Sequence, residues 1–286
     1  MKKFSLLFLF GFTAIPLFGQ KKLTPPEIGV VQNIENDRLL YKFGFRYLVE
    51  SAQKMLSPRS VSDRQFQEHL LSIKKLRVPL YACNLFIPGD LKVVGPTIDE
   101  EAVLTYVDQV VRRAEAAGIK MLIWGSGGSR GVPGSFNRSE AEEQFIRMAK
   151  KIASLAEKQN IILALESLNR TECNFINTIP EALAVVKAVD HKNFRLSVDI
   201  YHMLMEGESP EAITGTKDYL VYCEVAEKVG RTPPGVHGED LVPYFAALRK
   251  EGYQGKIVLE CRWKDLETQG PAAYRELRSQ VDEAYK

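Results

Sequence analysis

Residues 219–226 read YLVYCEVA and residues 256–263 read KIVLECRW. Each is an apolar run of the kind that fills a sheet, and each is broken near its end by a glutamate, Glu224 or Glu260. A carboxylate there is costly unless something pairs with it. Six further runs precede these two: EIGVVQ (27–32), FRYLVE (45–50), VPLYACNLF (78–86), IKMLIWG (119–125), IILALES (161–167) and FRLSVDI (194–200). They are near-continuously apolar rather than alternating, as strands covered on both faces should be. Between them the spacing predicts helices over 62–76, 99–117 (stopped by Gly118), 139–159, 180–189, 241–250 and 272–285, with Phe145, Met148, Ile152 and Leu155 marking one helical face. The second strand–helix unit is less regular, and an irregular connection with a short helix near 210–213 is expected after Ile200. Eight strand–helix units in about 260 residues predict a (β/α)8 TIM barrel. A doubly wound open sheet lacks its usual support, because GVVQNIEN rather than a GxGxxG turn follows the first run.

The N-terminus has a different character. Lys2 and Lys3 precede an apolar stretch from Phe4 to Phe18, with Pro16 near its end and Gly19 after it. This is the pattern of a secretory signal peptide over residues 1–20. The stretch is short for a membrane span, and no Cys follows it for acylation. Residues 21–286 then form a single domain, without linker or repeat, of an exported and periplasmic protein that has no membrane segment in its mature form. Cys83, Cys173, Cys223 and Cys261 show no zinc or CxxC spacing, and burial as free thiols is expected. In 286 residues the net charge is +2, with 45% hydrophobic and 26% charged residues, so nothing in the charge points to a nucleic-acid partner.

Barrel chemistry gathers at the C-terminal ends of strands. The last four runs end in Glu166, Asp199, Glu224 and Glu260, followed by Glu172, His202, Arg231 and other polar residues. Four carboxylates converging on one mouth repel strongly. A shared hard divalent cation, Mn²⁺ or Mg²⁺, is the natural remedy, and salt bridges to Arg170, Arg231 or Arg262 are the plainer alternative. The Gly-rich stretch GSGGSRGVPG (125–134) lacks the Lys-Ser/Thr ending of a P-loop, and a flexible loop bringing Arg130 to substrate is expected instead. His69 and His191 are expected at the surface.

LALESLNRTECNFINT (163–178), LSVDIYHMLMEG (196–207), AEKVGRTPPG (226–235) and GYQGKIVLE (252–260) resemble the xylose isomerase-like sugar isomerase/epimerase family, which includes the ketose 3-epimerases. GSGGSRGVPG and CNLFIPGDLKVVGP (83–96) resemble a less characterised branch of it. The resemblance covers most of the mature chain and is strongest after residue 160. It implies a (β/α)8 barrel with one divalent metal. Glu166, Asp199 and Glu260 match three family ligands, while Glu172, His202 and Arg231 match residues that contact substrate. The fourth ligand, a histidine in the family, falls on or within a residue of Glu224. The implied metal set is therefore Glu166, Asp199, Glu224 and Glu260, more acidic than the family pattern.

The implied activity is metal-dependent isomerisation or epimerisation of a free or glycosylated keto-sugar. Its α-proton would leave to give a metal-stabilised enediolate, with Glu166 and Glu260 as the two bases and Asp199 as a pure ligand. Loss of a β leaving group from the same enediolate would make the protein a keto-sugar lyase or hydratase. A non-catalytic sugar-binding barrel is the reading from another class, and a homodimer is compatible with all of them. A metal-dependent endonuclease fits poorly with near-neutral charge and export.

Overall fold

The computed structural model describes residues 23–286, so the expected signal peptide at 1–20 lies outside the described residues. Eight parallel strands close into a barrel in sequence order, β8 pairing back onto β1. They are β1 (Glu27–Val31), β2 (Tyr47–Ser51), β3 (Leu80–Asn84), β4 (Met121–Trp124), β5 (Ile162–Glu166), β6 (Phe194–Asp199), β7 (Leu220–Val225) and β8 (Lys256–Leu259). All eight fall on the apolar runs. The helices among the described residues are α1 (Asp37–Phe43), α2 (Ala52–Met55), α3 (Asp63–Ile73), α4 (Glu100–Ala116), α5 (Gly127–Arg130), α6 (Arg138–Lys158), α7 (Ile179–Val189), α8 (Ile200–Glu206), α9 (Val242–Lys250) and α10 (Leu266–Ala284). None is long and apolar enough to cross a membrane.

Local chemistry explains the helix starts. Ser62 and Gln65 form a reciprocal capping box on α3, and the side chains of Asp99, Asn137 and Thr178 accept backbone N–H groups at the starts of α4, α6 and α7. The short helix expected near 210–213 is present as a 3-10 turn over Pro210–Ile213, but two other expectations are corrected. The segment directly after Asp199 is helical at once rather than irregular, because Asp199 ends β6 and caps α8, its Oδ1 accepting the Tyr201 N–H at 2.8 Å. The last helix begins at Leu266 rather than near 272. Asp265 caps it, its side chain accepting the Glu267 N–H, and Pro271 lies inside the second turn, where it leaves the Glu267 carbonyl without its helical donor.

The core has two layers. A large one lies between strands and helices, and a small one fills the barrel interior with Val49, Ala82, Met121, Ile123, Ala164, Tyr222 and Val258. Side chains alternate across a strand. Residues two places beyond Ala164, Tyr222 and Val258 therefore also face inward, one layer higher, and these are Glu166, Glu224 and Glu260. Asp199 is paired with Glu224 across the β6–β7 seam. All four cysteines are free, three of them buried and Cys261 partly so.

Candidate active site

The four strand-end acids meet at the mouth. One carboxylate oxygen from each of Glu166, Asp199, Glu224 and Glu260 lies within 4.8 Å of the others. Asp199 and Glu224 are fully buried and form the floor. Glu166 and Glu260 reach the cleft above, which encloses about 340 Å³ and is also lined by Gln53, Ile87, Gly125, Glu172, His202 and Arg231.

Each acid has a different environment. Tyr222, one layer below, donates its hydroxyl to Glu224 Oε1 at 3.3 Å, while Glu224 Oε2 is buried without a hydrogen-bond partner among the described residues. Burial, then the charges of Glu260, Glu166 and Asp199, push the Glu224 carboxyl well above the usual carboxylate range. Glu260 accepts from Asn84 Nδ2 at 2.8 Å and pairs with Arg231. Burial raises its pKa to about 7 against the pull of Arg231, with Glu166 and Asp199 adding to the rise.

His202 is buried, with Nε2 3.2 Å from Glu166 Oε1 and 3.5 Å from Asp199 Oδ2. Burial opposes charge on this ring, but Asp199 and Glu166 outweigh it and lift its pKa to about 9. The Asn169 backbone N–H is directed at Nδ1, 3.2 Å away, which disfavours a proton there. That contact works against the charged ring; when the ring is neutral its proton sits on Nε2, the nitrogen nearest the two carboxylates. Arg231 also lies 3.4 Å from both Asp199 Oδ2 and Glu172 Oε1, and its guanidinium stacks over the Tyr201 ring at 4.5 Å.

This donor set fits a hard divalent cation. It offers carboxylate oxygens, in a buried and crowded cluster, with one oxygen left unsatisfied. Salt bridges answer part of this charge: Arg231 reaches Asp199 and Glu260, and His202 lies beside Glu166 and Asp199, whereas Arg170 pairs with Glu206 on the flank.

Glu166, Glu172, Asp199, His202, Glu224, Arg231 and Glu260 are thus brought together, but Arg130 is not among them. The stretch expected to be a flexible loop carries the helical turn α5, in which Arg130 is completely buried. Its Nη2 donates to the Glu166 carbonyl at 2.6 Å, so it braces the end of β5 from behind and does not line the cleft. The glycines are there for closeness rather than flexibility. A Cβ on Gly125 would collide with Glu166 Oε2, and one on Gly128 would lie 3.0 Å from Gly89 Cα.

Sequence reasoning overlooked Asn84, which ends β3 just as the acids end their strands. It also passed over Glu50, whose carboxylate on β2 is drawn aside by Lys54 and the Ile34 N–H. His237 is exposed on the loop after β7 and does not line the cleft.

A family profile described as Xylose isomerase-like TIM barrel matches residues 38–282. The D-psicose 3-epimerase of Ruminiclostridium cellulolyticum is 34% identical over 119 residues, 41% of this chain and 40% of that protein. The 3-dehydro-D-guloside 4-epimerase of Escherichia coli is 26% identical over 193 residues, 64% of this chain and 72% of that protein. The matched stretches span between 40% and 59% of the first curated relatives' length. The solved 3-keto-D-glucoside 4-epimerase of E. coli superposes with a TM-score of 0.75 at 19% identity, over 89% of this chain and 99% of that one, a likeness of fold.

Proposed function

The chain belongs to the xylose isomerase-like TIM-barrel family, and from that premise we propose that it is a metal-dependent epimerase or isomerase of a free or glycosylated keto-sugar. The observation that carries this is the meeting of four strand-end carboxylates within 4.8 Å beneath an open cleft. Matched relatives named as sugar epimerases support it.

Glu166, Asp199, Glu224 and Glu260 would hold one divalent cation, Mn²⁺ or Mg²⁺. When bound, the ion supplies positive charge that draws electron density from a sugar carbonyl and so acidifies the neighbouring C–H. The chain's own residues do the rest. Glu166 and Glu260 line the cleft from different strands, so one removes the proton and the other returns it. Return to the opposite face of the same carbon is epimerisation, and return to the neighbouring carbon is isomerisation. His202 donates from Nε2, and Arg231 and Glu172 offer a donor and an acceptor to sugar hydroxyls at the cleft wall. Asp199, capped at Oδ1 and fully buried, is a ligand rather than a base.

The test is a panel of free, oxidised and glycosylated sugars with Mn²⁺ in D₂O, followed by NMR. Deuterium at the carbon beside a carbonyl, with a new epimer or isomer, is the expected result. An absorbing enone product would make the protein a lyase instead. Sugar binding without exchange, in protein that holds no ion, would make it a binding barrel. Export to the periplasm is proposed on the pattern of residues 1–20. N-terminal sequencing of the protein recovered from its own cells should begin near residue 20, and a chain starting at Met1 would refute it.

A further inference from the structure

The loop from Lys228 to Asp240 is exposed over most of its length, with Pro233 and Pro234 as its buried residues. It has little apolar surface to hold it down, yet it carries Arg231 into the mouth. Its anchor is Glu227, a fully buried carboxylate just past β7. Glu227 Oε1 accepts the N–H groups of Gly235 (2.8 Å), Gly238 (3.0 Å) and Glu239 (3.3 Å). Oε2 accepts the His237 N–H (2.7 Å) and the Thr232 hydroxyl (3.0 Å), and the Glu227 N–H in turn reaches the Thr232 carbonyl (2.9 Å). Gly235 and Gly238 have φ of 93° and 74°, the left-handed region that helps turn successive N–H groups toward one point.

Arg231 itself is left-handed at φ 54°, a conformation that persists only where its surroundings hold it. On one side its carbonyl accepts the Arg262 N–H at 2.8 Å, and its Nε donates to the Glu260 carbonyl at 3.1 Å. On the other, the next residue, Thr232, is fastened to Glu227 through both backbone and side chain.

We propose that Glu227 is the positioning residue for Arg231: by gathering the β7–α9 loop around its carboxylate, it fixes the guanidinium over the acid cluster where a sugar would bind. The step from position to turnover rests on the function proposed above. Glu227 touches neither substrate nor cation and acts through the loop.

The experiment compares wild type, Glu227→Gln, Arg231→Met and the double variant, with two readouts. The first needs no activity. Hydrogen exchange by NMR at the Arg231 Nε–H and at the Gly235 and His237 amides should quicken by ~10-fold or more in Glu227→Gln, as expected when charge-assisted hydrogen bonds are lost, while barrel-strand amides stay protected. Unchanged exchange at Arg231 overturns the proposal, whatever the protein's activity. The second is kinetic, on a keto-sugar that wild type turns over. Glu227→Gln should lower kcat/KM by ~10-fold or more, with the same division between kcat and KM as Arg231→Met, and the double variant should be no worse than Arg231→Met alone. A full additional loss in the double variant would mean that Glu227 acts elsewhere and would overturn the proposal. If wild type turns over no sugar, the functional reading falls and the exchange result alone decides the positioning role. If Glu227→Gln does not fold, Glu227→Asp, which keeps the charge but withdraws it by one methylene, is measured in the same way.

Discussion

Replacing Glu224 by Gln separates a cation site from a network of salt bridges. Two unit charges 4.8 Å apart repel by about 3.5 kcal/mol at an effective dielectric of ~20. Four ionised carboxylates make six pairs at that separation or closer, on the order of 20 kcal/mol by the same arithmetic, of which Arg231 and His202 offset a part. Glu224 takes part in three of the pairs and has no salt-bridge partner among the described residues, so without an ion it keeps its proton. Glu224→Gln should therefore leave stability in EDTA nearly unchanged, or raise it slightly, at pH 7. With Mn²⁺ at about 100 times its dissociation constant, wild type gains about 2.7 kcal/mol, or roughly 5 °C for a chain of this size. Losing one carboxylate ligand, taken to weaken affinity ~10–100-fold, reduces that gain to about 0.4–1.4 kcal/mol at the same Mn²⁺ concentration. Differential scanning calorimetry in EDTA and in Mn²⁺ reads both arms. An equal Mn²⁺-induced shift in the variant and in wild type would show that Glu224 is not a ligand. Glu224→His, which restores the residue type of the resembled family, should keep much of the shift.

Three further outcomes follow from the structure. Gly125→Ala should fold normally yet lose about 100-fold in turnover, because its methyl group displaces the Glu166 carboxylate from the cluster; unchanged kinetics would mean that Glu166 need not sit there. Mn²⁺ affinity, measured by calorimetry in several buffers, should rise as pH increases through about 7 with release of protons, since the cation must displace protons held by Glu260 and Glu224; an affinity flat from pH 6 to 8 would contradict this. Glu208 has its pKa raised by folding from 4.5 to about 7, chiefly by burial, against the Ile179 N–H that it accepts. Its contribution to stability is therefore whole below about pH 4.5 and is lost as pH rises through about 7. Glu208→Gln keeps the acceptor, so it should be neutral at pH 4 and stabilising at pH 8 by ~1 kcal/mol, after discounting a ~3 kcal/mol shift for partial exposure; equal melting temperatures at pH 8 would refute it.

The eight strands were legible because a parallel barrel covers each strand on both faces, leaving apolar runs that need no alternation to be recognised. The acids were legible for the complementary reason: a carboxylate breaking such a run has to be answered by something across space. Helix boundaries were less so. Asp199 ends a strand and starts a helix in one residue, so no turn signal separates β6 from α8. Arg130 was misplaced because a Gly-rich composition is shared by mobile loops and by backbones packed too closely for side chains, and only the contacts of Gly125 and Gly128 tell them apart.

The order of strands, the closed barrel and the identity of the four acids were carried by sequence alone, since they depend on local pattern and period. The tertiary structure decided which polar residues act on one another. It set Asn84 on Glu260, drew Glu50 away to Lys54, put Arg130 behind Glu166 and wrapped the β7–α9 loop around Glu227. These partners come from different strands and loops, and Asn84 and Glu260 lie 176 positions apart. The energy of a buried charge depends on distances of a few ångströms across the barrel, a quantity that no local stretch of sequence contains.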